Sequence, residues 1–210
     1  MEISEPVVGV VLSGGRSSRM GGGDKCLLQL GGQQVLARIV DRLKPQVTEV
    51  IINANEDPLR FADFSLPVIA DSIVGQAGPL AGVHAGLEWV KANATGVRYI
   101  ATVPSDTPFF PADLVQSFLS EAGDYPAFIV ASSSEGVHPI VGLWPVAMVP
   151  QIEDALRLGM RKVGAFTKEH GATEVLFAPA LIGERLVDPF FNINRPEDLG
   201  YADALLREAP

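Results

Sequence analysis

The sequence predicts an α/β fold in which a doubly wound, mainly parallel sheet carries helices on both faces. Two observations lead to this prediction. Short apolar, β-branched runs alternate along the chain with segments whose apolar residues recur at helical spacing, and this alternation is typical of parallel sheets. A chain of 210 residues, 47% of them hydrophobic, is long enough to bury the core of one such domain.

The individual strands and helices follow one another in a regular order. The first strand, residues 7–12, is a continuous apolar run, and the first helix places Leu36 and Leu43 on one apolar stripe. The other predicted strands are 50–54, 67–70, 99–103, 127–131, 140–144 and 173–177, and the predicted helices are 34–47, 79–92, 111–119, 147–158, 162–170 and 196–206. The Ser/Gly-rich stretch 132–136 is predicted to be a turn. This order of elements is Rossmann-like.

Composition and charge exclude several classes of protein. The chain has 16 Lys and Arg against 25 Asp and Glu, and a net charge of −9 disfavours a nucleic-acid-binding surface. The apolar runs fall short of the roughly 20 residues that a membrane span needs. Glu2 and Glu5 do not resemble the start of an export signal. Since Cys26 is the single cysteine, no internal disulfide can form, and we expect a cytoplasmic protein without membrane or nucleic-acid partners.

A glycine-rich loop directly after the first strand is the strongest functional signal. Residues 13–25 hold five glycines and three cations, Arg16, Arg19 and Lys25, which are all the basic residues among the first thirty. Glycine lets backbone N–H groups turn toward a ligand and lets that ligand come close. Because the cations add positive charge to these donors, the loop suits several phosphates in a row.

Two familiar phosphate-binding motifs are absent from this loop. The Walker pattern needs Gly-Lys followed by Ser or Thr, but Asp24 precedes Lys25 and Cys26 follows it. The dinucleotide fingerprint Gly-x-Gly-x-x-Gly also fails, because Gly14-Gly15 is followed by Arg-Ser-Ser-Arg. The chain is therefore neither a P-loop NTPase nor a simple NAD-binding domain.

Polar residues also follow the other predicted strands. The second strand ends near Asn53 and Asn55, the third ends at Asp71, and the fourth runs into Asp106 and Thr107. In open parallel sheets, ligands bind beyond the carboxyl ends of the strands. We therefore expect one ligand to lie across this edge and to meet the glycine-rich loop and these side chains together.

The pattern Leu-x-Gly-Gly-x-Ser-x-Arg-Met-Gly-x-x-Asp-Lys, which starts at Leu12, resembles the signature of nucleotidyltransferases of the sugar-nucleotide pyrophosphorylase superfamily. Further motifs cover nearly the whole chain and resemble the molybdenum cofactor guanylyltransferases in particular. They are Ile-Asn-Ala-Asn at 52–55, Asp-Ser at 71–72, Gly-Pro-Leu-Ala-Gly at 78–82, Asp-Thr-Pro at 106–108, His-Pro at 138–139, Arg-Lys at 161–162 and Phe-Asn-Ile-Asn at 191–194. Ser13 departs from the alanine usual in the family, which removes no charged group. The resemblance implies a nucleotide-diphospho-sugar transferase-like fold.

The resemblance also implies a reaction, in which a terminal phosphate of molybdopterin attacks the α-phosphorus of GTP and pyrophosphate leaves. Lys25 and Arg19 would stabilise the charge on the transferred and leaving phosphates, and Asp106 would bind Mg²⁺. The nucleotide contacts carried over from the family are Leu12, Ser13, Gly14, Gly15, Lys25, Asn53, Asp71 and Asp106. Of these, the amides around Gly14 and Gly15 would hold the triphosphate.

By the same resemblance, the second half of the chain would hold the pterin. Arg161 and Lys162 offer cations for its phosphate, Asn192 and Asn194 can donate and accept as a pterin ring requires, and His138 is a further candidate. We therefore expect a single domain whose first half, about 1–125, binds the nucleotide and whose second half, about 126–210, binds the cofactor. Cofactor-biosynthesis proteins and recipient molybdoenzymes are the further partners that the resemblance implies.

Each of these residues has a purely structural alternative. Asp106 precedes Thr-Pro and a predicted helix, so it also fits a helix N-cap. Asp71 fits a turn. The pair Arg161 and Lys162 fits a solvated helix face, and His138 fits a hydrogen-bonded histidine of the core.

Other functions remain open at the level of the sequence. A cytidylyltransferase would use CTP, but relatives of that kind usually begin the loop Leu-Ala-Ala-Gly, whereas Gly14 and Gly15 are consecutive here, which favours GTP. A sugar-phosphate nucleotidyltransferase, another enzyme with a small acceptor, is commonly a longer chain. A non-catalytic, GTP-dependent cofactor carrier would be expected to lack Lys25 or Asp106, and both are present.

Overall fold

The structure is a computed structural model that describes residues 5–14, 24–73, 78–123 and 127–208. The strands are β1 (Val7–Leu12), β2 (Gln29–Leu30), β3 (Gln33–Gln34), β4 (Glu49–Asn53), β5 (Val68–Ile69), β6 (Tyr99–Pro104), β7 (Ile129–Ser133), β8 (Gly136–Pro145), β9 (Thr173–Leu176), β10 (Ala180–Ile182) and β11 (Arg185–Val187). Seven of them form one sheet in the order β5-β4-β1-β6-β8-β7-β9. The short pairs β2–β3 and β10–β11 lie outside it as hairpins.

The seven-stranded sheet is mainly parallel, as predicted. Strand β1 lies between β4 and β6 and pairs in parallel with both of them. Strand β8 is the exception, because it runs antiparallel to both β6 and β7. Strands from both halves of the chain therefore belong to one continuous sheet.

Helices cover both faces of this sheet, which confirms the predicted doubly wound architecture. They are α1 (Val35–Leu43), α2 (Pro79–Asn93), α3 (Leu114–Ala122), α4 (Val149–Arg157), α5 (Val163–Glu169) and α6 (Pro196–Arg207). Alternate residues of each strand point to opposite faces. Val7 and Val11 of β1 accordingly join a core with α1, α3 and α6, whereas Val8 and Val10 join a second core with α2, α4 and α5.

Several boundaries differ from the predicted ones for local reasons. Helix α1 ends at Leu43 rather than 47, because Pro45 lies in the 3₁₀ turn Lys44–Gln46 that follows it. Helix α3 starts three residues after Pro111, at Leu114. Strand β8 is ten residues long and begins inside the predicted turn, so β7 and β8 form a hairpin.

Strand β8 carries a bulge that shapes the edge of the sheet. Its pairing with β7 changes from Val130 opposite Gly142 to Ala131 opposite His138, which leaves residues 139–141 outside the ladder. Such bulges bend a strand and redirect its side chains. In the described ranges, no helix is both long and apolar enough to cross a membrane.

Candidate active site

A cavity of about 360 Å³ opens at the carboxyl edge of the parallel strands. Its walls come from the ends of β1 and β6, the first half of β8, the 3₁₀ turn Lys25–Leu27 and the segment around Phe190. Because β8 is antiparallel, its beginning rather than its end reaches this edge. The predicted site residues that line the cavity are Leu12, Ser13, Gly14, Lys25, Asp106, His138 and Asn192.

Lys25 and Asp106 form a salt bridge on the cavity wall. The Nζ atom of Lys25 also donates a hydrogen bond to Oδ1 of Asn194 at 3.0 Å. The two charged side chains keep 23% and 16% of their surface exposed, so both are accessible from the cavity. The helix-cap interpretation of Asp106 is wrong, since α3 begins only at Leu114 and the carboxylate faces Lys25.

The segment that follows Phe190 is held against the end of β6. The backbone N–H of Ile193 donates to the carbonyl oxygen of Asp106 at 2.9 Å. The hydroxyl of Thr107 donates to Oδ1 of Asn192 at 2.5 Å. These bonds bring Asn192 and Asn194, from the second half of the chain, to the Lys25–Asp106 pair of the first half.

A second polar cluster lies beside the cavity and orients Asp71. Nδ2 of Asn53 donates to Oδ1 of Asp71 at 3.0 Å, and Nδ2 of Asn55 donates to its Oδ2 at 2.7 Å. The N–H of Asp71 donates back to Oδ1 of Asn55 at 2.8 Å. Ser13 joins this cluster to the cavity, because its N–H donates to the carbonyl oxygen of Asn53 at 2.8 Å. Neither Asn53 nor Asp71 is among the residues that line the cavity itself.

Arg60 is a contributor that the sequence did not reveal. Its guanidinium donates to Oδ1 of Asp24 at 2.9 Å and to Oε2 of Glu56 at 2.7 Å, and it lies 4.7 Å from the ring centre of Phe61. Asp24 lines the cavity and directly precedes Lys25. Arg60 therefore anchors the start of the turn that carries Lys25. No local spacing could have revealed a pair that lies 36 residues apart.

His138 also lines the cavity, and two residues that no sequence motif marked, Ser133 and Asp188, lie behind it. Its Nε2 atom lies 2.8 Å from Oγ of Ser133, whose hydroxyl donates to the carboxylate of Asp188. Its ring packs against Phe190, with 4.6 Å between ring centres. Burial lowers the pKa of His138 below its ordinary value of 6.5, although Asp188 and Glu135 act in the opposite direction.

The remaining predicted residues lie away from the cavity or outside the described ranges. Arg161 and Lys162 are not among the lining residues. They come just before α5, and the carbonyl of Arg161 packs closely against Gly78, the neighbour of the lining residue Pro79. Gly15 and Arg19 belong to residues 15–23, which lie outside the described part of the chain.

Comparison with known proteins gives the class of this fold and site. The family model described as a MobA-like NTP transferase domain matches residues 9–174. The solved structure of molybdopterin-guanine dinucleotide biosynthesis protein A from Archaeoglobus fulgidus has the same fold, with a TM-score of 0.69 and 19% identity over 96% of this chain and 100% of that chain. The sheet, the cavity at its carboxyl edge and the family match define a nucleotidyltransferase.

Curated relatives narrow the class further. A protein from Mesorhizobium japonicum is 45% identical over 207 residues, which cover 96% of each chain. One from Rhodopseudomonas palustris is 44% identical over 201 residues, which cover 93% of this chain and 92% of the relative. Both are named molybdenum cofactor guanylyltransferase. The chain belongs to the molybdenum cofactor guanylyltransferase family, which confirms the resemblance predicted from the motifs.

Proposed function

We propose that this chain transfers GMP from GTP to the molybdopterin cofactor and releases pyrophosphate. The observation that carries the proposal is the salt bridge between Lys25 and Asp106, which line the same cavity as Gly14 and Asn192. The 45% identity with a guanylyltransferase over 96% of the chain supports GMP as the transferred group.

The reaction needs alignment and charge neutralisation more than covalent help from the protein. An oxygen of the acceptor phosphate attacks the α-phosphorus of GTP, and the bond to the oxygen that bridges toward the β-phosphate breaks as pyrophosphate leaves. The ammonium of Lys25 supplies positive charge beside the reacting phosphates, and Arg19 is proposed to do the same. The backbone N–H groups of Gly14 and Gly15 are proposed to hold the triphosphate.

Asp106 is the residue that we propose to hold Mg²⁺. This ion is usually bound through one or two carboxylates, with substrate phosphates and waters as its other ligands. Asp106 suits that mode, because its side chain is accessible in the cavity. Within the described ranges, no group of three or more His, Cys, Asp and Glu could form an all-protein cage. When bound, the ion would neutralise charge on the phosphates.

The nucleotide is proposed to lie against the end of β1 and the Asp71 cluster. A carboxylate that two amides hold in place suits guanine, whose N1–H and amino group are adjacent donors. The residues proposed to contact the base and the ribose are Leu12, Ser13, Gly14, Asn53 and Asp71.

The molybdopterin is proposed to lie against the second half of the chain, so that about 1–125 serves the nucleotide and about 126–210 serves the acceptor. His138, Asn192 and Asn194 are assigned to the pterin, and Arg161 and Lys162 to its phosphate. We place the reaction in the cytoplasm, where the single cysteine stays reduced. Cofactor-biosynthesis proteins and recipient molybdoenzymes are the further partners of this proposal.

Release of pyrophosphate tests the reaction directly. We expect release from GTP only when both Mg²⁺ and molybdopterin, with or without molybdenum, are present. Faster release with CTP would overturn the choice of nucleotide, and turnover with a sugar phosphate in place of the pterin would overturn the acceptor. Tight GTP binding without turnover on any acceptor would identify a carrier instead of an enzyme.

The variant Lys25→Ala tests the residue that carries the proposal. We expect kcat to fall on the order of 100- to 1000-fold, because one group that stabilises transition-state charge is lost. Lys91→Ala is the matched control, since Lys91 lies on the exposed surface of α2 and pairs with Glu88 at 3.3 Å. If kcat were the same for the two variants, Lys25 would have no role in the mechanism.

A further inference from the structure

Three side chains form a hydrogen-bonded unit at the wall of the cavity, and the transfer chemistry itself uses none of them. His138 lines the cavity, whereas Ser133 and Asp188 lie behind it. Ser133 is 7% exposed, and the side chains of His138 and Asp188 are 20% and 15% exposed. The three residues come from β8, β7 and the segment after β11, so the unit forms only in the folded chain.

The hydroxyl of Ser133 determines which nitrogen of His138 carries the proton. A serine hydroxyl has one hydrogen to donate and two lone pairs that accept. The hydrogen goes to Oδ2 of Asp188, whose other oxygen, Oδ1, accepts the N–H of Phe190 at 2.7 Å. The N–H of Glu135 occupies one lone pair at 3.2 Å. His138 must therefore meet the second lone pair as a donor, through Nε2–H at 2.8 Å.

This arrangement leaves the other ring nitrogen free to act as an acceptor. Burial favours the neutral ring by lowering the pKa of His138, and it outweighs the opposing charges of Asp188 and Glu135. A neutral ring protonated at Nε2 has a lone pair on Nδ1. Among the described residues, none hydrogen-bonds to Nδ1. Because Nδ1 is nevertheless not one of the buried polar atoms left without a partner, it is exposed to solvent.

We propose that His138 determines acceptor specificity by accepting a hydrogen bond at Nδ1 from a ring N–H or amino group of the acceptor heterocycle, and that Ser133 and Asp188 position it for this role. The inference rests on the proposed function, because that function supplies the heterocyclic acceptor. A neutral hydrogen-bond acceptor does not attract a phosphate, so His138 contacts the heterocycle of the acceptor molecule. The phosphate end of the same molecule is left to the cations assigned to it above.

The tautomer can be measured without any substrate. The chain has three histidines, so nitrogen NMR of the free protein near neutral pH, with His138→Phe to assign the signal, reports the state of this ring. We expect a neutral ring with its proton on Nε2. In Ser133→Ala the preference for Nε2–H weakens, although Oδ1 of Asp188 still lies 3.9 Å from Nε2, and Ser133→Thr, which keeps the hydroxyl, restores it. A charged ring, or a proton on Nδ1, in the wild-type protein would overturn the proposal.

Kinetics then test the role in specificity. His138→Phe keeps a ring but has no acceptor, and we expect KM for molybdopterin to rise about 10- to 100-fold, as for loss of a hydrogen bond to a buried group, with KM for GTP unchanged. His138→Asn places an amide oxygen near the position of Nδ1 and recovers part of the loss. His170→Gln, an exposed histidine at the end of α5, is the control.

The outcomes separate this inference from the function on which it rests. Equal increases in both KM values, or an unchanged KM for molybdopterin in His138→Phe, would overturn the role of His138 while transfer by the wild-type protein continued. No transfer by the wild-type protein would overturn the proposed function, and the NMR result would still decide the tautomer.

Discussion

The absence of a side chain at Gly82 determines how Asn53, which we propose to contact the nucleotide, packs against α2. Gly82 lies in the first turns of α2, and a Cβ built on it would be 2.3 Å from Oδ1 of Asn53 and 2.9 Å from Cδ2 of Leu12. Asn53 is 2% exposed and donates to Asp71. The glycine of the Gly-Pro-Leu-Ala-Gly motif therefore allows Asn53 to lie against the helix while it orients Asp71.

Gly82→Ala tests this close approach. Alanine would displace the amide of Asn53, so we expect KM for GTP to rise about 10-fold, the equivalent of one lost hydrogen bond, with KM for the acceptor nearly unchanged. Gly200→Ala in α6 is the control, because no atom apart from the adjacent backbone of its own helix lies within 4 Å of its Cβ position. That variant should gain up to about 1 kcal/mol of stability from helix propensity. An unchanged KM for GTP in Gly82→Ala would contradict the role given to Asn53.

Single residues of the site were predictable where a motif or a strand end marked them. Asp106 was marked in this way, and the structure places it in the cavity with Lys25. Ser133 and Asp188 were not predictable, because 55 residues separate them and each is an ordinary polar residue in its own segment. The two side chains come into contact only because β7 pairs with β8 and the chain returns to this place after β11.

Strands β6 and β8 are joined by a buried hydroxyl in addition to their backbone ladder. Thr102 is fully buried, and its Oγ1 donates to the carbonyl oxygen of Ile140 at 2.5 Å and accepts from Nε1 of Trp144 at 2.8 Å. Ile140 belongs to the bulge that borders the cavity. Thr102 thus fixes the bulge to the centre of the sheet.

Thr102→Val should destabilise the fold, because a buried indole N–H and a carbonyl oxygen both lose their partner. We expect the free energy of unfolding in urea to fall by about 2–4 kcal/mol. Thr48→Val is the matched control: Thr48 donates to the carbonyl oxygen of Val7 at 2.8 Å but is exposed, so water can replace the bond at a cost below about 1 kcal/mol. Similar decreases in the free energy of unfolding of the two variants would show that the buried hydrogen bonds of Thr102 stabilise the fold no more than an exposed one.

The strands and helices themselves were largely predictable, since apolar spacing reports which residues face a core. The direction of β8 was not, because the same apolar run fits a parallel or an antiparallel strand. Its direction depends on the short turn after β7, which folds the chain straight back. The hairpins β2–β3 and β10–β11 were missed because their strands, two or three residues long, are too short to show a period.

Two histidines make the stability of the whole molecule depend on pH. His84 is 4% exposed, contacts Oγ of Ser72 through Nδ1 at 2.7 Å and has no partner at Nε2. Burial lowers the pKa of His84 below 6.5, against the opposing effect of Glu88 and Glu153, and burial does the same to the pKa of His138. The unfolded chain therefore binds more protons than the folded one as the pH falls below 6.5.

We expect the free energy of unfolding to fall as the pH is lowered from 6.5 toward the folded-state pKa values, with a maximum slope of about 1.4 kcal/mol per pH unit for each histidine. Urea unfolding at a series of pH values measures this slope. His84→Gln should remove the contribution of His84 to this slope, and His138→Gln should remove that of His138. The double variant should remove both contributions. A slope that survives in the double variant would have to come from other groups.

Strand β8 has hydrogen-bonded neighbours on both sides, and this limits how the enzyme can move. Any rotation of the strands on one side of β8 relative to those on its other side would break one of these two ladders. The seven described strands thus offer no hinge within the sheet, unlike a protein whose lobes close around a ligand. Binding of the substrates then has to proceed without rotation between these strands, and we expect the backbone of the sheet to superpose closely with and without nucleotide.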